Sequence, residues 1–178
     1  MGDTLRNGRF PELARIPYFY RMKLILLAVG KTDAGPLEAL IADFERRLNH
    51  YIPFEIGIVP DIRTKGKVKP EQLKEKEAEA ILRALHPQDA LWLLDEKGRE
   101  YSSRGFAGQL QKCMNAGPKR LVLVIGGAYG FSEGLRTRAD RTVSLSKMTF
   151  NHQVVRLLAV EQLYRAFSIL RGDPYHND

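Results

Sequence analysis

The sequence LVLVIGGAYGF, residues 121–131, joins an apolar run of strand length to a turn with three glycines. An apolar run rich in β-branched residues is typical of a strand that is buried on both faces of a parallel sheet. In open α/β sheets, ligands bind beyond the carboxyl ends of the strands, and glycine there lets a ligand approach the backbone. The stretch therefore predicts an α/β protein with a candidate binding turn.

The spacing of the glycines excludes the two common phosphate-binding turns. A dinucleotide-binding turn has the pattern G-x-G-x-x-G, whereas Gly126, Gly127 and Gly130 form G-G-x-x-G. A P-loop needs Gly-Lys-Ser or Gly-Lys-Thr, and neither follows. A nucleoside without phosphate groups, such as S-adenosylmethionine, remains compatible with the turn.

Segments of strand and helix character alternate on both sides of this stretch. Strands are predicted at 23–29, 54–59, 90–94, 121–125 and 142–145, and helices at 36–51, 70–85, 103–116, 132–139 and 152–171. This alternation predicts one α/β domain over residues 22–178, with a mostly parallel sheet and helices on both faces. Residues 1–21 show neither period, and we expect an N-terminal extension that is poorly ordered.

Composition limits the location and the partners of the protein. Its 28 basic and 21 acidic residues give a formal charge of +7, which indicates either a nucleic-acid partner or a basic surface that serves solubility. The single cysteine, Cys113, excludes an internal disulfide and fits a cytoplasmic location. No apolar run approaches the roughly 18 residues of a membrane span, so no membrane association is expected. No ligand spacing indicates a metal.

Three segments are expected to meet beyond the carboxyl ends of the predicted strands. They are 94–98, 125–130 and 145–150, and together they supply backbone donors, backbone acceptors and apolar contacts for an adenine. Each of them alone is more typical of an ordinary turn between a strand and a helix, and it is their joint presence that favours a binding site. A separate basic segment, 61–69, is either a flexible loop or an arm that contacts phosphates.

Three stretches resemble the bacterial RlmH family of SPOUT-class methyltransferases, which methylate N3 of a pseudouridine in 23S ribosomal RNA. They are LLDEKG (93–98), LVLVIGGAYG (121–130) and SLSKMTFNHQVVRLLAVEQLYRAFSILRGDPYH (144–176). The resemblance covers essentially all of residues 22–178. It implies a SPOUT-type α/β fold with five or six strands and a deep C-terminal trefoil knot, which strand periods cannot reveal.

The resemblance also implies the cofactor, the partners and part of the site. The cofactor is expected to be S-adenosylmethionine, the assembly a homodimer packed through the knot region, and the substrate 23S rRNA in the large subunit or the whole ribosome. The tail at 174–176 is expected to reach an active site, across the dimer. The residues expected to contact the cofactor are Leu94, Gly126, Gly127, Gly130, Leu145, Ser146, Lys147, Met148, Thr149 and Phe150.

The reaction needs in-line placement of the methyl group and removal of the proton on N3. His152 and His176 are candidate proton acceptors, although His152 is equally well explained as a capping or packing residue. Tyr175 is a candidate for stacking on the target base, and Arg156 for stabilising the imide anion. The residues expected to contact RNA are Lys65, Lys67, Lys147 and Arg165. Arg165 is alternatively an ion-pair partner of Glu161, one helical turn earlier.

Two other functions are compatible with the residues. One is a non-catalytic factor that binds ribosomes or RNA on a degenerate methyltransferase fold, and the other is a methyltransferase that acts on another RNA. The intact segments around Gly126 and Met148 argue against the first. The absence of a separate RNA-binding domain argues against the second.

Overall fold

Five strands and five helices alternate along the part of the chain that the computed structural model describes, residues 22–62 and 69–175. The strands are β1 (Lys23–Val29), β2 (Phe54–Val59), β3 (Ala90–Glu100), β4 (Arg120–Ile125) and β5 (Arg141–Ser144). The helices are α1 (Pro36–Leu48), α2 (Pro70–Ala84), α3 (Ser103–Ala116), α4 (Glu133–Arg138) and α5 (Val154–Arg171). The predicted extension at 1–21 and the segment 63–68 lie outside the described residues.

The strands form one parallel sheet with the order β2-β1-β4-β3-β5. The central strands β1 and β4 are apolar along almost their whole length because helices cover both faces of the sheet. The predicted parallel α/β sheet is thus confirmed, with five strands. The trefoil knot does not follow from strand order and pairing, and it stays a prediction.

Each face of the sheet forms its own apolar core. Leu24, Leu26 and Ala28 of β1 contribute to the core that includes α1, α3 and α5. Ile25 and Leu27 contribute to the opposite core, with α2 and α4. Alternate residues of a strand point to opposite faces, so both predicted helix layers are confirmed.

Strand β3 is longer than predicted, because it resumes after an irregular segment. Ala90 to Leu94 pair with β4, and the strand then bulges before Arg99 and Glu100 pair with β5. At the bulge, Gly98 approaches the β5 backbone so closely that a Cβ atom would lie 2.6 Å from the carbonyl carbon of Val143. The charged residues of the bulge mask this continuation, since the apolar pattern stops at Leu94.

Two helix boundaries differ from the prediction by two residues or more. Helix α1 ends at Leu48 rather than at 51, because the Asn49 amide donates to the Phe54 carbonyl at 3.0 Å and accepts from the Phe54 N–H at 3.0 Å. Helix α5 begins at Val154 rather than at 152, after a turn in which the Gln153 N–H donates to Asn151 Oδ1 at 2.8 Å. Asparagine commonly competes with helix formation in this way.

Helix α5 packs against both α1 and α3. This contact accounts for its apolar character inside one chain, with Ala159, Val160, Leu163 and Phe167 buried. Val154 at its start stays 43% exposed.

Candidate active site

A pocket of about 480 Å³ lies at the carboxyl ends of β4 and β5, beside the bulge in the middle of β3. Its walls come from the three segments that the sequence predicted to converge there, namely 94–97, 125–131 and 145–152 without Lys147. Arg136 of α4 and Val155 of α5 complete the lining. The volume is that of a pocket for a small organic ligand.

The glycines of the 126–130 turn are required by the protein itself. A Cβ atom at Gly126 would lie 2.9 Å from Cε1 of Phe131, and one at Gly127 would lie 2.5 Å from Oε1 of Glu77. Gly130 has a φ of 76°, in the left-handed region that other residues rarely adopt. Its N–H donates to the Gly127 carbonyl at 3.1 Å and closes the turn. The first two glycines therefore make room for protein side chains, whereas the sequence-based interpretation had given that room to a ligand.

An ion pair lies in the wall beside the glycine turn. Arg136 Nη2 donates to Asp95 Oδ2 at 2.6 Å, and the Lys97 N–H donates to Asp95 Oδ1 at 2.8 Å. Only 8% of the Asp95 side chain is exposed, so the pair is well shielded from solvent. Sequence reasoning assigned no role to Asp95 or Arg136, because residues 41 positions apart carry no common local pattern.

The charges in the lining balance one another. The lining contains two acidic residues, Asp95 and Glu96, and two basic ones, Lys97 and Arg136, so it has no excess of positive charge. A phosphate-binding pocket usually has such an excess or a helix N-terminus aimed at the anion. The lining thus agrees with the phosphate-free nucleoside that the glycine spacing indicated.

The loop after β5 holds its shape through two serine side chains. Ser144 Oγ donates to the Ser146 carbonyl at 2.9 Å, and the Met148 N–H donates to Ser146 Oγ at 3.0 Å. Met148 is 74% exposed and Phe150 37% exposed, so both present apolar surface at the pocket. Nine of the ten predicted cofactor contacts line the pocket, and Lys147 is the exception. Its side chain is 84% exposed, and its ammonium group lies 3.6 Å from Glu100 Oε2.

His152 lies in the pocket lining with an exposed ring. The Asp33 N–H donates to Gln153 Oε1 at 3.1 Å, which fixes the orientation of the Gln153 amide. The amide nitrogen then donates to the Lys31 carbonyl at 3.1 Å and lies 3.3 Å from His152 Nε2. Gln153 thus places a hydrogen-bonding partner beside the His152 ring at the pocket.

Arg156 lies below the pocket rather than in its lining. It is 1% exposed. Its Nε donates to the His152 carbonyl at 3.1 Å, Nη1 to Thr32 Oγ1 at 3.0 Å and Nη2 to the Val29 carbonyl at 2.8 Å. Burial lowers the pKa of the Arg156 guanidinium, and the carboxylates of Asp61 and Asp33 oppose this effect. In this position Arg156 joins the start of α5 to the end of β1.

Tyr175 lies against the outer side of α5 and outside the pocket lining. Its hydroxyl donates to Glu161 Oε1 at 3.1 Å, and its ring contacts the Tyr164 ring at a centroid distance of 4.7 Å. Arg165 donates to the same Glu161 oxygen at 2.6 Å, as the ion-pair alternative predicted. Burial, and next the Glu161 carboxylate, raise the pKa of Tyr175.

Three predicted site residues lie outside the described residues, namely His176, Lys65 and Lys67. Within 22–62 and 69–175, no group of three or more histidine, cysteine, aspartate or glutamate side chains is placed to hold a metal ion. None of the helices in those ranges has the length and apolar character of a membrane span.

The fold, the pocket and the sequence together define the class of protein. Residues 22–176 match the family model described as "Predicted SPOUT methyltransferase". The chain belongs to this SPOUT methyltransferase family. The family inferred from the three quoted stretches is thereby confirmed.

Relatives of high identity carry a more specific name. The chain is 52% identical over 157 residues to "Ribosomal RNA large subunit methyltransferase H" of Parabacteroides distasonis, covering 88% of this chain and 100% of that protein. It is 53% identical over 156 residues to the protein of the same name from Flavobacterium johnsoniae, covering 88% and 99%.

A solved structure resembles the chain more loosely. It is the SpoU methyltransferase AviRb of Streptomyces viridochromogenes in complex with AdoMet, with a TM-score of 0.43, 18% identity, and coverage of 85% of this chain and 59% of that one. A TM-score below 0.5 is too loose a likeness to support a conclusion.

Proposed function

We propose that the protein transfers a methyl group from S-adenosylmethionine to N3 of a pseudouridine in 23S ribosomal RNA. The observation that carries the proposal is the convergence of 94–97, 125–131 and 145–152 on one pocket, in a chain about half identical to rRNA large subunit methyltransferases. The substrate is the rRNA within the large subunit or the assembled ribosome, and the protein acts in the cytoplasm.

The pocket suits S-adenosylmethionine in size and in chemistry. Its volume of about 480 Å³ accommodates a nucleoside with a short side chain, and its balanced charges favour a ligand without phosphates. Leu94, Ile125 and Leu145 offer apolar contacts, while the backbone of the two loops offers donors and acceptors for an adenine edge. The bound cofactor would supply a methyl group on a sulfonium: N3 would attack the methyl carbon, the carbon–sulfur bond would break, and the neutral thioether would leave.

The residues of the chain have two tasks, to align the target base and to accept its proton. Alignment of the nucleophile with the methyl group lowers the barrier by removing the entropy cost of the encounter. The exposed side chains of Tyr129, Met148 and Phe150 provide apolar surface on which a base can pack. His152 lies in the pocket lining, where an imidazole side chain suits proton removal. His176 is the second candidate.

We further propose that the active form is a homodimer. Within one chain Tyr175 lies against α5 and outside the pocket lining. A second copy would bring His176 and the Tyr175 ring to the pocket of its partner. Val154, at the exposed start of α5, adds apolar surface for such an interface.

The proposal is tested by incubating the purified protein with isotopically labelled S-adenosylmethionine and ribosomes, followed by nucleoside mass spectrometry of the rRNA. Methylated pseudouridine is the expected product. If calorimetry shows cofactor binding but no label reaches ribosomes, subunits or free rRNA, the protein is a binding factor and the proposal is wrong. Absence of cofactor binding would contradict the proposal at an earlier step.

The proton acceptor is identified by comparing His152→Gln with His176→Gln. Loss of a general base lowers kcat by about 100-fold or more while the Kd for the cofactor stays the same. His50→Gln is the matched control, because His50 is exposed and follows α1 at the opposite edge of the sheet. If both histidine variants keep the wild-type kcat, neither residue accepts the proton.

A further inference from the structure

Helix α2 carries one acidic side chain that does not face solvent. Glu71, Glu75 and Glu79 are exposed, whereas Glu77 is only 7% exposed and packs beneath the glycine turn. Glu77 follows Leu73 by four residues and precedes Ile81 by four, so it lies on the apolar stripe of the helix.

The Glu77 carboxylate contacts the backbone of the pocket wall. The Gly127 N–H lies near the carboxylate and, as a hydrogen-bonding group, opposes the rise in its pKa. The contact is so close that a Cβ atom at Gly127 would lie 2.5 Å from Oε1 and 2.6 Å from Oε2. Gly126 and Gly127 both line the pocket, so the carboxylate supports the wall from the side opposite the ligand.

Stability alone does not explain a carboxylate at this position. Burying an ionised group is costly unless it is well paired, and an apolar side chain would suit a site beside Ala78 and Ile81, which are both buried. Burial raises the pKa of Glu77, and the nearby Asp61 carboxylate raises it as well. The carboxylate nevertheless lies against the Gly127 N–H, a backbone donor in a turn that must keep its conformation to bind a ligand.

We propose that Glu77 is a positioning residue for the cofactor pocket. Its carboxylate acts through the Gly127 N–H and holds the 126–130 turn in the conformation that receives the nucleoside of S-adenosylmethionine. This inference rests on the proposed function, because it requires that the pocket binds this cofactor. The Glu77 carboxylate belongs to α2, which follows the basic segment 61–69 in the chain. Glu77 therefore lies outside the three segments that line the pocket.

The test compares Glu77→Gln, which keeps an acceptor oxygen, with Glu77→Leu, which has a similar volume and no acceptor. Calorimetry with S-adenosylmethionine should give a Kd within about threefold of wild type for Gln, and at least about tenfold weaker for Leu. At saturating cofactor both variants should keep kcat within about twofold, so the defect lies in KM. Glu75→Gln and Glu75→Leu are the matched controls on the exposed side of the same helix.

Thermal melts separate positioning from a general loss of folding. The Tm of Glu77→Leu should stay within about 4 °C of wild type, because loss of a buried charge offsets the unpaired N–H. The inference would be overturned if Glu77→Leu bound the cofactor with the wild-type Kd. It would also be overturned if Glu77→Gln bound the cofactor as weakly as Glu77→Leu. A wild-type protein that binds no S-adenosylmethionine would instead refute the proposed function.

A second measurement applies if Glu77→Leu does not fold. Gly127→Ala should weaken cofactor binding about tenfold in the wild-type background, because the new methyl group meets the carboxylate. In a Glu77→Ala background the same substitution should weaken binding less than threefold, since the space is free. If Gly127→Ala weakened cofactor binding equally in the two backgrounds, its contact with the Glu77 carboxylate would not be the cause.

Discussion

Replacing Gly98 by alanine should disturb the fold and the cofactor loop together. Gly98 lies in the bulge of β3, where the chain passes against the backbone of β5. A Cβ atom there would lie 2.6 Å from the Val143 carbonyl carbon, 2.7 Å from the Val143 nitrogen and 2.8 Å from the Ser144 nitrogen. All three atoms are backbone, so no rotation of a side chain relieves the contact.

The size of the effect follows from these distances. The shortest contact, 2.6 Å, is about 0.8 Å closer than the 3.4 Å at which ordinary van der Waals contact begins. Overpacking of this kind costs about 2 kcal/mol of unfolding free energy. For a chain of this length that corresponds to a fall in Tm of about 4–8 °C. Because β5 continues into the 145–150 loop, we also expect the Kd for S-adenosylmethionine to rise about tenfold.

The assay is a thermal melt of the Gly98→Ala protein together with calorimetry of cofactor binding. Gly108→Ala is the matched control, because no atom lies within 4 Å of a Cβ at this position in α3. Alanine in a helix interior should stabilise the protein by about 0.5–1 kcal/mol and leave binding unchanged. A Gly98→Ala protein with wild-type Tm and Kd would refute the steric reasoning.

Three further predictions follow from buried polar groups. Burial raises the pKa of the Cys113 thiol to about 11, so it should react with iodoacetamide at pH 7.4 about 100-fold more slowly than a free cysteine, and comparable rates would contradict this. Burial raises the pKa of Glu77 above the ordinary 4.5, so the stability that its protonated form contributes is complete below about pH 4.5 and is lost as the pH rises through the raised pKa. Urea unfolding should therefore show wild type losing free energy relative to Glu77→Gln from about pH 4.5 upwards, whereas a constant difference would contradict the shift. Arg156→Met should lower the free energy of unfolding by about 3 kcal/mol, because the buried Val29 carbonyl and the partly buried His152 carbonyl lose their donor, while the exposed Arg83→Met should change it by less than about 0.5 kcal/mol.

Much of the fold could be predicted from local patterns. The apolar runs of β1 and β4, the proline at the start of α1 and the Gly117 after α3 all act within a few residues of their own position. The prediction failed where a distant contact sets the limit of an element. Strand β3 continues through its charged bulge because Gly98 lets it approach β5, and the pattern of β3 alone contains no trace of β5.

The residues that line the candidate site could be predicted from the sequence, whereas the side-chain contacts that hold them in place were largely missed. Nine of the ten predicted cofactor contacts lie at the pocket, because parallel strands carry their following turns to the same edge of the sheet. The ion pair of Asp95 with Arg136 was missed, since each residue is unremarkable in its own segment. Arg156 and Tyr175 were predicted to act in catalysis, a role that stays a prediction. Within one chain, one of them lies below the pocket and the other beside α5.

The sequence by itself determined the family, the alternation of strands and helices, and the spacing that excludes a phosphate-binding turn at Gly126, Gly127 and Gly130. Only the tertiary structure decided why glycine is needed there. Gly126 makes room for Phe131, and Gly127 makes room for Glu77, which lies 50 positions earlier in the chain. Periodicity reports which face of an element is buried, but it does not report which distant atom fills the space beside a given residue. That information exists only once helix and sheet are packed.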